Sequence, residues 1–191
     1  MSVIISNTAN LPSKHGKFKI KAYKLDNQEH LAIMSENFDE IKSPHVRIHS
    51  ECLTGDAFGS LKCDCQNQLD LALKFISNKG GLIIYHRQEG RNIGLVNKIN
   101  AYNLQDQGRN TVEANEELGF ASDERDYSVV EYIFNDLDVK SIKLITNNPK
   151  KIDYVNSLGI EVSERIPAIT KVNKFNKDYL ETKKEHFNHM L

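Results

Sequence analysis

The sequence predicts an α/β (α+β) domain: a mixed β-sheet flanked by helices, with a β-rich N-terminal part. Three observations carry that prediction. The chain to about Ser43 is patterned with period two, as in Phe18-Lys19-Ile20-Lys21-Ala22-Tyr23. From Gln68 the period changes, and Leu69, Ala72, Leu73 and Ile76 fall at i, i+3, i+4 and i+7, one face of a helix. Beyond that point short apolar runs alternate with helical patterns, the signature of strands that pair in parallel across helical connections.

The elements follow in order. Leu31–Met34 and His45–His49 are further short strands. The helix from Gln68 ends at Gly80-Gly81, since glycine takes the left-handed conformation that closes a helix. Leu82–Tyr85 reads as a buried strand. Leu95, Val96, Ile99 and Tyr102 mark the apolar face of the next helix, which stops near Gly108. Val130, Ile133, Phe134 and Leu137 repeat the spacing, with Asp126 or Ser128 as N-cap. Ile142–Thr146 is a strand. Asn148-Pro149 opens a helix with asparagine as cap and proline in the first turn, and Gly159 ends it before the strand Ile160–Val162. Leu180, Lys184, Phe187 and Leu191 suggest an exposed amphipathic C-terminal helix. The 191 residues suit one domain, 1–191, with 1–15 as an N-terminal arm and 174–191 as a C-terminal helix or tail.

Composition excludes several function classes. There are 25 Lys+Arg against 26 Asp+Glu, so no polybasic nucleic-acid footprint is present, although a local cationic pocket remains compatible. No apolar run reaches the ~18 residues of a membrane span, and the start at Met1 lacks a basic region followed by a long apolar one. The expected location is cytoplasmic, with no membrane and no nucleic-acid partner.

Three segments carry chemistry. All three cysteines fall close together, as Cys52, Cys63 and Cys65. Thiolates are soft ligands suited to zinc, and three protein ligands leave a fourth position for water, as in a catalytic site. His49 could close that position, and three buried free thiols are the competing reading. The stretch Tyr85–Gly94 runs from strand to helix with two arginines and two glycines, a place where free N–H groups can hold an anion. It is neither a Walker loop nor a dinucleotide fingerprint; a solvated polar loop is the alternative. Thr146–Lys151 repeats strand, cap and helix start with two lysines. Cations oppose the dipole there and make more sense beside an anionic ligand; a pair of exposed lysines is the alternative. The charge run Ala121–Tyr127 is either first-turn capping or an Asp123/Arg125 pair facing a substrate. Arg47 would add to a phosphate pocket.

Taken together, Arg47-Ile48-His49-Ser50-Glu51-Cys52-Leu53-Thr54-Gly55-Asp56 with Cys63-Asp64-Cys65, Arg87–Leu95, Thr111–Asn115 and Thr146–Lys151 resemble GTP cyclohydrolase II of riboflavin biosynthesis, in that family's order. Weaker similarity reaches Asp178–Lys183. The resemblance implies a hydrolase that opens the imidazole ring of GTP and releases formate and pyrophosphate, leaving a diaminopyrimidinone with ribosyl phosphate. It implies one zinc per subunit on Cys52, Cys63 and Cys65, and magnesium with the triphosphate. It further implies GTP contacts from Arg47, Ile48, His49, Ser50, Glu51, Gln68, Glu89, Gly90, Arg91, Thr111, Thr146 and Lys151, with Tyr102 near the base. Asp123 matches the family's proton acceptor and Arg125 its proposed nucleophile. A homodimer is implied, in the single-function form without a dihydroxybutanone phosphate synthase domain. Lys62 stands where arginine is expected before Cys63. A guanidinium has no free lone pair, so Arg125 reads better as an electrostatic clamp than as a nucleophile. The rival classes are a zinc-containing GTP-binding protein without full turnover, a variant that stops at the formamide, and a zinc-stabilised RNA-binding module.

Overall fold

The structure is a computed structural model that describes residues 3–191. Eight strands form one mixed sheet: β1 (Ile4–Ile5), β2 (Ala9–Ser13), β3 (Gly16–Leu25), β4 (Gln28–Ser35), β5 (His45–Ser50), β6 (Gly81–His86), β7 (Ser141–Ile145) and β8 (Glu161–Ile166). The spatial order is β1-β3-β4-β6-β5-β7-β8, with β2 also on β3. β1 to β4 and the β4–β6 pair are antiparallel, whereas β6, β5, β7 and β8 run parallel. The sheet is therefore mixed, and its N-terminal part is a meander. Within the stretch expected as an arm, Ile4–Ile5 and Ala9–Ser13 pair with β3; Met1 and Ser2 lie outside the described residues.

The helices are α1 (Leu53–Asp56), α2 (Cys65–Lys79), α3 (Gly94–Asp106), α4 (Thr111–Glu117), α5 (Ser128–Asp136), α6 (Pro149–Ser157) and α7 (Lys177–Phe187). The pleat divides each strand between two cores. Val46 and Ile48 of β5 and Leu82 and Ile84 of β6 join Val130, Ile133 and Phe134 of α5 and Val155 of α6. Ile83 instead meets Phe18 and Ala72 and Ile76 of α2. Each such apolar side chain contributes about 1.5–3 kcal/mol by leaving water. The same alternation turns Arg47, between Val46 and Ile48, toward α2, where its guanidinium meets Gln68.

Strand order reverses around β5. The chain leaves β5 through α2 to β6 on one side, and returns through α3, α4 and α5 to β7 on the other. Open α/β sheets bind ligands beyond the carboxyl ends of their strands at such a switch point. The segments after β5, β6 and β7 all emerge there, and they are the three chemistry-bearing segments.

Three local expectations change. The α3 face is turned: Leu95, Val96 and Ile99 are exposed, while Lys98 and Ala101 are buried. The helix packs toward the cleft through its polar side because Lys98 finds charged partners there. The α5 cap is neither predicted residue. Tyr127 holds the N-cap position without a side-chain bond, and the Asp126 carboxylate accepts from the Ser128 N–H at 2.9 Å instead. Only the Asn148 cap is as expected, its Oδ1 accepting from the Lys150 N–H at 3.0 Å ahead of Pro149. Finally, α7 is not an exposed helix: Leu180, Thr182, Lys183 and Phe187 are buried, and Lys184 faces outward.

Candidate active site

The three sulfurs converge. The Sγ atoms of Cys52, Cys63 and Cys65 lie within 4.8 Å of one another, and Cys52 and Cys63 are 3.6 Å apart. Tetrahedral zinc ligands at about 2.3 Å stand about 3.8 Å from each other, so the spacing fits such an ion. Gly55 makes the approach possible, since a Cβ there would stand 2.7 Å from the Cys63 sulfur and 3.2 Å from that of Cys52. Asp56, one residue on, organises the turn. Its carboxylate accepts from the Cys52 N–H at 3.0 Å and the Tyr85 hydroxyl at 2.8 Å, and meets His49 Nε2 at 3.1 Å. His49 is therefore committed to Asp56 and is not among the clustered ligands.

Lys98 ties the sulfurs to the Glu89 turn. Its ammonium lies 3.1 Å from Cys52 Sγ and 2.7 Å from Glu89 Oε1, while Glu89 Oε2 accepts from the Leu53 N–H at 2.6 Å. Hydrogen bonds from Cys63 and Cys65, with the Lys98 charge, hold the Cys52 thiol well below its usual range. Facing that thiolate, Cys63 is pushed up to about 11 and Cys65 well above its ordinary value. A cation bound among the three sulfurs would favour the thiolate form of all of them. After Glu89 the backbone is strained: Gly90, Arg91 and Asn92 have φ of 61°, 62° and 76°. For the last two this is uncommon, and it aims Arg91 inward. Its guanidinium donates to the Ser122 carbonyl at 3.0 Å.

A second group of side chains is cationic. Arg47 donates to the Ile145 carbonyl at 3.0 Å and to Gln68, but has no carboxylate partner, and its Nε is buried without a bond. Lys151 donates to the Ile48 carbonyl at 2.7 Å and lies 3.4 Å from the Ser50 hydroxyl. Burial, then the charges of Arg125, Arg47 and Lys183, push the Lys151 ammonium well below its ordinary range. A bound anion would reverse that push. Of the two lysines after Asn148, Lys150 is exposed and Lys151 buried, so each reading of the pair holds for one residue. Thr146 lies beside them, its Oγ1 accepting from the Asn148 N–H at 3.0 Å.

Arg125 stands between the two groups. It forks onto Asp123, Nε to Oδ1 at 2.7 Å and Nη2 to Oδ2 at 2.5 Å, and donates to the Ser50 hydroxyl at 3.1 Å. Burial opposes its charge, but the Asp123 carboxylate outweighs burial and holds the guanidinium above its usual range. Burial likewise raises Asp123, and the Arg125 fork overrides it, leaving the carboxyl below its ordinary value.

Two adjoining cavities contain these groups. One holds the cysteines, Glu51, Glu89, Gly90, Arg91, Tyr102, Thr111 and Arg125. The other holds Arg47, His49, Gln68, Arg125, Thr146 and Lys151. Ser50, Cys65 and Arg125 line both, so sulfurs and cations face a single cleft. Among the expected residues, Ile48 puts its side chain in the core and offers only its carbonyl, and Asp123 stands behind Arg125 without lining either cavity. Glu51 pairs with Arg87 at 3.2 Å, though burial keeps its carboxyl above the usual range. The Tyr102 hydroxyl meets Thr54 at 3.1 Å. Sequence reasoning missed Asp56, Lys98, Asn115, Tyr179, Lys183 and His189. Asp56, Asn115, Tyr179 and Lys183 lay inside segments that resemble the family but were given no role, whereas Lys98 and His189 left no local signal.

The family model for GTP cyclohydrolase II matches residues 4–167. A protein named GTP cyclohydrolase-2 from Campylobacter fetus is 58% identical over 192 residues, covering 100% of this chain and 97% of that protein. Its namesake from Campylobacter hominis is 56% identical over 191 residues, with coverage of 100% and 97%. One from Buchnera aphidicola subsp. Schizaphis graminum is 50% identical over 194 residues, with coverage of 100% and 99%. A cleft with clustered thiols at one end and buried cations at the other, on a chain matched along its whole length, places this protein: it belongs to the GTP cyclohydrolase II family of enzymes.

Proposed function

We propose that the chain opens the imidazole ring of GTP, releasing formate and pyrophosphate as the first step of riboflavin biosynthesis. The observation that carries this reading is the shared cleft: a cluster of thiols suited to a soft metal at one end and, at the other, Arg47 and Lys151 buried without carboxylate partners, with Arg125 between them. A guanine nucleotide has a matching division, a purine carbon to be attacked and a triphosphate to be held.

Cys52, Cys63 and Cys65 would hold one zinc ion, with Lys98 and Glu89 supporting the sulfurs from behind. Zinc so held is a Lewis acid that lowers the pKa of a coordinated water toward 7. Arg47, Arg91, Arg125 and Lys151 bind and orient the triphosphate, their charges strengthened by burial away from water. Thr111, Thr146, Gln68, Glu51 and Tyr102 complete the pocket. Magnesium would arrive with the nucleotide, since it is commonly held through substrate phosphates and one or two carboxylates.

For Arg125 we favour the clamp over the nucleophile. Its proton is held by Asp123 in a two-point ion pair, and a protonated guanidinium has no lone pair to offer. Asp123 in turn is too weak a base to deprotonate it. Recovery of a phosphorylated Arg125 peptide from a quenched reaction would overturn this assignment.

A homodimer belongs to the same proposal. The exposed Leu95, Val96 and Ile99 on α3 support it, as an apolar helix face suited to burial against a second copy. Sedimentation that finds only single chains would remove it. No helix among the described residues is long and apolar enough to cross a membrane, and a cytoplasmic location is proposed with the function.

The deciding experiment mixes the zinc-loaded protein with GTP and assays formate and pyrophosphate. Both products are expected in equal amounts. GTP binding without either would favour a binding protein without turnover. Ring opening without formate would favour a variant that stops at the formamide. Neither binding nor turnover would leave the RNA-binding module.

A further inference from the structure

The C-terminal helix lies beyond residues 4–167 that the family model covers. It does not sit apart. Tyr179, Lys183 and His189 line both cavities, so the segment forms the wall between the sulfur end and the cationic end of the cleft. Phe187 stacks on the Arg91 guanidinium at 4.0 Å, and the Met190 N–H donates to the Asn147 carbonyl at 2.8 Å, tying the tail to the loop after β7.

Lys183 is the informative residue. A lysine is almost never buried without a reason, yet this one is 8% exposed. Its ammonium lies 2.6 Å from Asp64 Oδ1 and 4.4 Å from the centre of the Tyr179 ring. The other Asp64 oxygen accepts from Gln68 Nε2 at 2.5 Å, and Gln68 Oε1 accepts from Arg47. The single Asp64 carboxylate thus joins Lys183 to a cavity already lined by Arg47, Arg125 and Lys151. Asp123 is taken up by Arg125. Four cations face one small space with two carboxylates between them. Like charges gathered out of water repel unless an anion compensates them.

We propose that α7 is a cationic lid of the phosphate site and that Lys183 binds the triphosphate directly. The inference rests on the function proposed above and adds to it a residue and an element. The polyanion supplies the missing negative charge, so binding and seating of the helix reinforce each other. Such coupling is reciprocal: a lid that favours the anion is itself held more firmly by it. Asp64 is the resting partner of Lys183, and Tyr179 and Phe187 provide the apolar seat. His189 adds no charge. Burial, then the cations around it, press its imidazole down to about 3 and keep it neutral near pH 7.

The test uses the full-length zinc-loaded protein, with inorganic tripolyphosphate, GTP and guanosine as probes. Lys183→Gln is expected to weaken tripolyphosphate binding and raise the KM for GTP by at least about tenfold, the worth of one charged hydrogen bond. Zinc content and guanosine binding stay close to those of the unaltered protein. Lys183→Arg restores most of the loss, because it keeps the charge. Unchanged tripolyphosphate affinity in Lys183→Gln overturns the proposal, as does a loss shared with zinc content and guanosine, which would make the Asp64 pair merely structural. If Lys183→Gln does not fold, hydrogen exchange on the unaltered protein decides. Tripolyphosphate should slow exchange across 179–187, and no slowing rejects the lid. Absence of formate from GTP in the unaltered protein would instead sink the functional reading, whatever tripolyphosphate does.

Discussion

The two ends of the cleft are built on different plans. At the sulfur end, Cys52, Cys63 and Cys65 come from one short stretch, set by the turn at Gly55 and Asp56 and the start of α2. At the cationic end, Arg47 comes from β5 and Lys151 from α6; Arg125, from the loop before α5, stands between the ends, and Arg91, from the turn after β6, lines the sulfur cavity. As the proposed zinc site, the first would be a local chelate in which every member is needed. The second is a field assembled by the sheet, where each charge is one of several. Removing a ligand should therefore be close to all-or-none, and removing a cation graded.

The largest effect is expected at the sulfurs. Cys52→Ser should leave the protein without zinc and cut formate release by more than the ~100-fold seen for supporting residues around metals. Metal analysis and a formate assay check it, and formate at the normal rate would show the ligand assignment to be wrong. Gly55→Ala sharpens the point, because it removes no ligand. Its Cβ would press on the Cys63 sulfur, so zinc should again be lost.

Arg125→Lys comes next. The charge survives but the fork onto Asp123 does not, and lysine cannot reproduce it. Pyrophosphate release should fall by about 100- to 1,000-fold, as when one preorganised donor to a transition state is removed. Zinc content should not change. Equal rates in the two proteins would exclude Arg125 from the chemistry.

Lys151→Met should be milder. A KM for GTP raised about tenfold, with kcat nearly kept, is the loss of one charged contact among several. A collapse in kcat instead would blur the contrast between a chelate and a field.

The smallest effect concerns a third region, where buried charge is avoided. His30 and His86 stack at 5.0 Å beneath the cleft. Burial lowers His30 to about 4 and His86 to about 3, so both are neutral in the folded chain. The unfolded chain, with histidine near 6.5, takes up protons more readily below that value. The stability from these residues is thus complete above about pH 6.5 and lost as pH falls toward 3–4. The melting temperature should drop through that window, and His86→Asn should flatten the decline. An unchanged acid limb in His86→Asn would mean that other groups drive it.

The local sequence was a good guide where neighbours in the chain are neighbours in space. The cysteine cluster, the Asn148-Pro149 helix start and the α2 apolar stripe each depend on residues a few positions apart. It was a poor guide to α3, where Leu95, Val96 and Ile99 looked like the buried face. There Lys98 is inside, because Cys52 and Glu89, 46 and 9 residues away, offer it partners worth more than apolar contact. It also could not tell Lys150 from Lys151. Helix phase and the position of the Ile48 carbonyl, 103 residues distant, make that choice.

By itself, then, the amino-acid order determined the alternation of strands and helices, the Asn148 cap, the clustering of the thiols and the family resemblance, all of which live in short windows of chain. Which charges are buried, which helix face turns inward and where the last helix rests were decided only by the folded sheet. Those outcomes depend on desolvation and on partners far along the chain, and both are properties of three-dimensional neighbourhoods rather than of local pattern.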